Sequence, residues 1–145
     1  MKIRSIAIVL ATAGTLLATA ASASASTASS HVYHAGKCHA SGQDALCFTP
    51  DRTARAPVNM HAHLDASPSQ YVEVQWNIDC QTRDGGFASS DGDVTRKAPF
   101  RVKVKLPVGH PVSCDIDGNA ELMGSSPNGF DGSGYVSLRF TYHRR

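Results

Sequence analysis

The chain has 145 residues, of which 41% are hydrophobic and 18% are charged, and its formal net charge is +2 at neutral pH. This length and composition are those of one small globular domain, and they exclude a disordered chain. The only long apolar run is at the N-terminus, so the sequence predicts no membrane span in the rest of the chain.

The N-terminal segment has the pattern of an export signal. Lys2 and Arg4 precede an apolar stretch over residues 6–17, and small residues with the Ala-x-Ala spacing of a cleavage site follow it. We therefore predict a signal peptide over residues 1–25, with cleavage between 23 and 28, and a single secreted, extracellular domain over residues 26–145. Cleavage removes two of the 14 basic residues and none of the 12 acidic ones. The mature domain then has no basic excess, and nucleic-acid binding is not expected.

Four cysteines in an exported chain predict two disulfides. Gly42 and Gln43 fit a two-residue hairpin turn, which would place Cys38 opposite Cys47 as a non-hydrogen-bonded pair. The remaining cysteines both fall on inward strand faces. We therefore predict the disulfides Cys38–Cys47 and Cys80–Cys114.

Apolar residues alternate with polar ones along most of the mature chain, which indicates strands and no helix of useful length. The predicted inward residues of successive strands are Val58, Met60, Ala62 and Leu64, then Val72, Val74, Trp76, Ile78 and Cys80, then Val102, Val104 and Leu106, then Val112, Cys114 and Ile116, and last Val136, Leu138, Phe140 and Tyr142. Residues 117–119 fit a three-residue hairpin loop, which sets Cys114 opposite Leu122. Residues 82–95 and 124–134 are predicted to be long loops because they are rich in Gly, Ser and Asp. About seven short strands at this spacing predict an all-β fold, an antiparallel β-sandwich.

A core tryptophan beside a core disulfide, Trp76 with Cys80, resembles the arrangement in immunoglobulin domains. The predicted sandwich is therefore immunoglobulin-like in architecture. The resemblance extends to architecture alone, because Trp76 precedes the first cysteine of its pair instead of lying between the two cysteines.

His61 and His63 are two positions apart on a predicted strand, so both side chains project from one face. Imidazoles in this arrangement can bind one zinc or copper ion together with further ligands. The alternative is a pair of solvated histidines on an exposed strand. We expect the protein to have no cofactor; the alternative is that it binds zinc or copper.

Asp115, Asp117 and Glu121 surround the predicted hairpin loop, with Asp115 opposite Glu121. Carboxylates facing each other repel unless a cation neutralises them, which makes this group a calcium candidate. The alternative is an exposed turn without metal.

Arg101, Lys103 and Lys105 alternate outward on one strand and form a candidate surface for an anionic partner. A lysine-rich row also prevents an edge strand from pairing with another sheet, which is the alternative interpretation.

The sequence has no nucleophile-elbow pattern, and its cysteines are used in disulfides, so we lean against an enzyme. We expect a small secreted bacterial module, of binding or inhibitor type, whose partner is an unidentified protein or cell-wall polysaccharide. The alternative is an extracellular metal-binding protein that uses surface histidines.

Overall fold

The computed structural model describes residues 31–129 and 131–145, in which eight strands form two antiparallel sheets. The predicted signal peptide lies outside these residues. The strands are β1 (Val32–Gln43), β2 (Leu46–Arg55), β3 (Pro57–Ala66), β4 (Tyr71–Gln81), β5 (Phe87–Lys97), β6 (Phe100–Lys103), β7 (Ser113–Gly124) and β8 (Ser133–Arg144). No helix in the described part of the chain is long and apolar enough to cross a membrane.

The two sheets pack face to face as a sandwich. Sheet I has the strand order β1-β8-β3-β6, and sheet II has the order β2-β7-β4-β5. All neighbouring strands pair antiparallel. The predicted all-β antiparallel sandwich is therefore confirmed, with eight strands in place of about seven.

Inward residues of both sheets form one hydrophobic core, as alternation predicted. The largest fully buried side chains include Phe140, Met60, Ile78, Ile116 and Leu122. Burial of each contributes about 1.5–3 kcal/mol to folding. The prediction was wrong at Val112, which precedes β7 and is 47% exposed.

Strand β7 corrects the predicted hairpin loop at residues 117–119, because it continues through them without a turn. Gly118 takes an inward position between Ile116 and Ala120, so the alternation runs unbroken. A β-carbon at Gly118 would lie 2.9 Å from Cζ of Phe140. Glycine therefore makes room for the opposite sheet here, and it does not form a turn.

Strand β5 corrects the predicted loop over residues 82–95. Only residues 82–86 form a turn, in which the Thr82 amide donates to the Gly86 carbonyl over 2.9 Å. The rest belongs to β5, an edge strand of small, polar and mostly exposed residues. Such a strand lacks the apolar alternation by which the others were predicted. The loop predicted at 124–134 is confirmed in its described part, since β7 ends at Gly124 and β8 begins at Ser133.

Both predicted disulfides are formed; Cys80–Cys114 lies in the core as predicted, but the place of Cys38–Cys47 in the fold differs from the prediction. Cys38 pairs with Leu138 in sheet I, and Cys47 pairs with Ala120 in sheet II. Their disulfide, with a Cα–Cα distance of 5.6 Å, therefore joins the two sheets where the chain crosses between them.

The predicted hairpin at Gly42 and Gln43 was wrong, because these residues extend β1 along β8. Conversely, Cys80 and Cys114 face each other on the neighbouring strands β4 and β7, at a Cα–Cα distance of 4.0 Å. Two disulfides indicate folding in an oxidising compartment.

Candidate functional site

The outward face of sheet I gathers basic side chains from all four of its strands. His63 on β3 lies opposite Arg139 on β8 and Arg101 on β6, and Arg139 lies opposite Lys37 on β1. Residues directly opposite on neighbouring strands share a face. These four side chains therefore form one row across the sheet, about 15 Å long at the usual strand spacing.

A second row runs beside the first. His61 lies opposite Lys103 on β6 and Thr141 on β8, and Thr141 lies opposite His34 on β1. We call the two rows together the cationic face; its basic members are Lys37, Arg139, His63, Arg101, His34, His61 and Lys103. The adjacent row carries the carboxylate of Asp65, opposite Ser137.

Hydrogen bonds hold the two central histidines in place. Nδ1 of His61 donates to the Asn59 carbonyl over 2.8 Å, and Nε2 of His63 is hydrogen-bonded to Oγ1 of Thr141 at 2.7 Å. The two ring centroids are 6.4 Å apart. Thr141 lies beneath these side chains and is only 5% exposed.

The surroundings disfavour the charged form of both rings. Partial burial lowers the pKa of His61 below its ordinary value; the Asn59 hydrogen bond opposes this effect, and the positive charges of Arg101 and Lys103 add to it. Partial burial also lowers the pKa of His63, with Arg101 and Arg139 as the next causes. The two rings therefore become cations only at a lower pH than an ordinary histidine does.

A concavity of about 740 Å³ opens on one end of the cationic face. It is lined by Lys37, His39, His63, Asp65, Phe100 and Arg139, among others. Its volume is that of a typical small-molecule site. The apolar Phe100 next to two long basic side chains suits a ligand that has both anionic groups and apolar edges.

The predicted anionic-partner surface is brought together in part. Arg101 and Lys103 lie on the outward face of β6, beside His63 and His61, whereas Lys105 lies beyond the end of that strand. Strand β6 is also an edge strand of sheet I. Its basic residues are therefore placed where they can prevent pairing with another sheet, which is the alternative interpretation. Lys37 and Arg139 were not identified from sequence, because nothing local indicates that β8 lies between β1 and β3.

His61 and His63 project from the same face of β3, as predicted. Across residues 31–129 and 131–145, no group of three or more His, Cys, Asp and Glu side chains is placed to hold a metal ion. The zinc or copper site stays a prediction.

The geometry predicted for the calcium candidate is wrong. Asp115, Asp117 and Glu121 all lie on one continuous strand, β7, and not on two arms of a hairpin. Asp115 lies opposite Asp79, and Glu121 lies opposite Glu73. Asp115 and Glu121 are six positions apart, about 20 Å along an extended strand, which is too far for one ion.

The outward face of sheet II is acidic. Asn77 lies between Asp91 and Asp117 on the neighbouring strands, and Gln75 lies between Asp93 and Asn119. Of the 12 acidic residues in the chain, seven are on this face. We call it the acidic face; its carboxylates are those of Glu73, Asp79, Asp91, Asp93, Asp115, Asp117 and Glu121. The sandwich thus has two oppositely charged outer faces.

No protein-family model matches this chain, and neither a curated protein nor a solved structure is significantly similar to it. The chemistry of the chain's own side chains is therefore the basis for a functional proposal.

Proposed function

We propose that this protein is a non-catalytic binding module whose cationic face binds an anionic partner. The observation that carries the proposal is the row Lys37–Arg139–His63–Arg101, to which all four strands of sheet I contribute. A row about 15 Å long suits a partner that presents several carboxylates or phosphates in succession, and a single small anion would contact only part of it.

The chemistry of the face favours binding over catalysis. Oγ1 of Thr141 is hydrogen-bonded to Nε2 of His63. Because Thr141 is buried beneath the surface, a substrate would not reach this oxygen. The charged residues around it are lysines and arginines, whose role in such a setting is to attract and orient anions.

The proposed place of action is outside the cell. The two disulfides favour an oxidising compartment, and the export pattern of residues 1–25 supports secretion. Binding through exposed charges is sensitive to salt, so we expect fast, reversible association and weak affinity at high ionic strength.

The test uses fluorescently labelled poly-L-glutamate as the probe, with binding followed by anisotropy at low salt. The variant Lys37→Gln/Arg101→Gln/Arg139→Gln removes three charges from the cationic face. If each exposed ion pair contributes about 0.5 kcal/mol, the loss of three raises Kd about tenfold.

The matched control is Arg52→Gln/Arg55→Gln/Lys97→Gln, which removes the same charge from exposed positions on sheet II. We expect this control to change Kd less than about twofold. Equal losses in the two triple variants would show that only net charge matters and would overturn the proposal.

A further inference from the structure

We propose that the partner of the cationic face is the acidic face of a second copy of this chain, so that copies associate head to tail. The inference rests on the proposed function, since it names the partner of the same surface. It starts from the two faces that a single chain presents on opposite sides of the sandwich.

The acidic face holds carboxylates in unfavourable proximity. Asp79 lies directly opposite Asp115, and Glu73 lies directly opposite Glu121, on the paired strands β4 and β7. Like charges directly opposite each other destabilise a sheet. Local hydroxyl and amide groups donate to some of these oxygens: Thr53 to Asp115 over 2.5 Å, Gln75 to Glu73 over 2.6 Å. A row of cations above the sheet would remove the remaining repulsion.

The two faces match in pattern as well as in sign. Strands lie about 4.8 Å apart in both sheets, so rows across one sheet can register with rows across the other. The cationic face contributes four lysine and arginine side chains, Lys37, Arg101, Lys103 and Arg139, against the seven carboxylates of the acidic face. Arg55 and Lys97 lie at strand ends of sheet II, and its two central strands, β4 and β7, contain no lysine or arginine.

The available area suits a weak but specific contact. In sheet I three strands of 10–12 residues and the four-residue β6 form a face of about 500 Å², so two faces together bury about 1,000 Å², near the lower limit for specific complexes. Phe48 and Leu46, on the edge strand β2 of sheet II, are 66% and 42% exposed and project from the acidic face. They add apolar contact at its margin.

The contact uses different surfaces on the two copies, and it is therefore heterologous. Because the faces lie on opposite sides of the sandwich, each bound copy offers a fresh face to the next, and association continues beyond a dimer.

The experiment mixes two variants that each retain one face. One is Lys37→Gln/Arg101→Gln/Arg139→Gln, which keeps the acidic face, and the other is Asp91→Asn/Asp93→Asn/Asp117→Asn, which keeps the cationic face. In sedimentation velocity at pH 7 and low salt, we expect the wild-type chain to sediment faster as its concentration rises. Each variant alone should stay monomeric. Their equimolar mixture should form a complex of about twice the monomer mass and stop there, because no complementary face remains free.

A wild-type chain that stays monomeric at low salt, or a mixture that stays monomeric, overturns the inference. In the second case the Asp91→Asn/Asp93→Asn/Asp117→Asn variant is tested against poly-L-glutamate. If this variant binds poly-L-glutamate, the proposed function stands and only the second copy is excluded as the partner. If it does not bind, both the proposed function and the inference are overturned. Circular dichroism verifies that each variant is folded. If a triple variant unfolds, Arg139→Gln and Asp117→Asn replace the triple substitutions in the same comparison.

Discussion

The indole of Trp76 lies against the backbone of Gly92, its partner on the neighbouring strand β5, so closely that a β-carbon at Gly92 would overlap the six-membered ring. The partner of Trp76 on the other side, in β7, is Gly118. Gly92 gives the Trp76 ring its space, whereas a β-carbon at Gly118 would meet the ring of Phe140. Trp76 packs against the core from an inward position but remains half-buried.

We expect Gly92→Ala to lower the free energy of unfolding by about 1–3 kcal/mol, the usual cost of overpacking. Urea unfolding followed by circular dichroism measures it. The matched control is Gly109→Ala, where a β-carbon would meet no atom within 4 Å. Equal midpoints for wild type and Gly92→Ala would show that the ring moves aside without cost.

Trp76 is the only tryptophan, so its fluorescence reports this position alone. We expect native emission to be blue-shifted from that of the unfolded chain, while acrylamide still quenches it in part. Trp76→Ala should cost about 3 kcal/mol, the low end for a core aromatic, because the ring is only half-buried. Native emission equal to that of free tryptophan in water would contradict the inward placement.

The parts of the fold that could be predicted from sequence are those with two alternating faces. Residues 72–80 and 136–142 alternate between core and solvent, and their inward faces were identified correctly apart from the depth of Trp76. Strand β5 escaped prediction because an edge strand does not need apolar residues. The Asp-Gly-Asn segment of β7 was predicted to be a turn, because glycine is common in turns. In the structure Gly118 is a glycine for another reason, since the ring of Phe140 leaves no room for a β-carbon there.

The candidate site was harder to predict, since it depends on which strands are neighbours. Both Arg101 and His63 were identified from sequence, but for different roles. Arg101 was assigned to a surface for an anionic partner, and His63 was assigned to a metal-binding pair. Their shared row with Arg139 and Lys37 follows from pairings between residues as far apart in sequence as 37 and 139. Local periodicity contains no information about such pairings.

The two disulfides should differ in their contribution to stability. The Cys80–Cys114 bridge spans 34 positions and the Cys38–Cys47 bridge spans nine. By loop-closure entropy we expect replacement of each pair with alanine to cost about 4 and about 3 kcal/mol, respectively. Thermal unfolding of the two double variants shows which disulfide contributes more to stability. Non-reducing peptide mapping that joined Cys38 to Cys80 would contradict the pairing itself.

Stability should fall as the solution becomes acidic, partly because of His61 and His63. The pKa of each is lowered in the folded protein, so the unfolded chain binds more protons in the window below about pH 6.5. Their stabilising contribution is complete above that pH and is lost as the pH falls through the lowered values. His61→Gln/His63→Gln should flatten the pH dependence of the unfolding midpoint, while His39→Gln serves as the control. An unchanged slope in the double variant would contradict the burial of the two rings.

The bridge between Cys38 and Cys47 encloses the exposed crossover from one sheet to the other. A protease that cuts the backbone within residues 41–44 would therefore release no fragment, because the two pieces stay covalently joined. Strand β1 would remain paired along β8, and β2 along β7. A chain cleaved there should migrate as two pieces only after reduction and should keep its native sheets, so a cut in this exposed crossover does little harm to the fold.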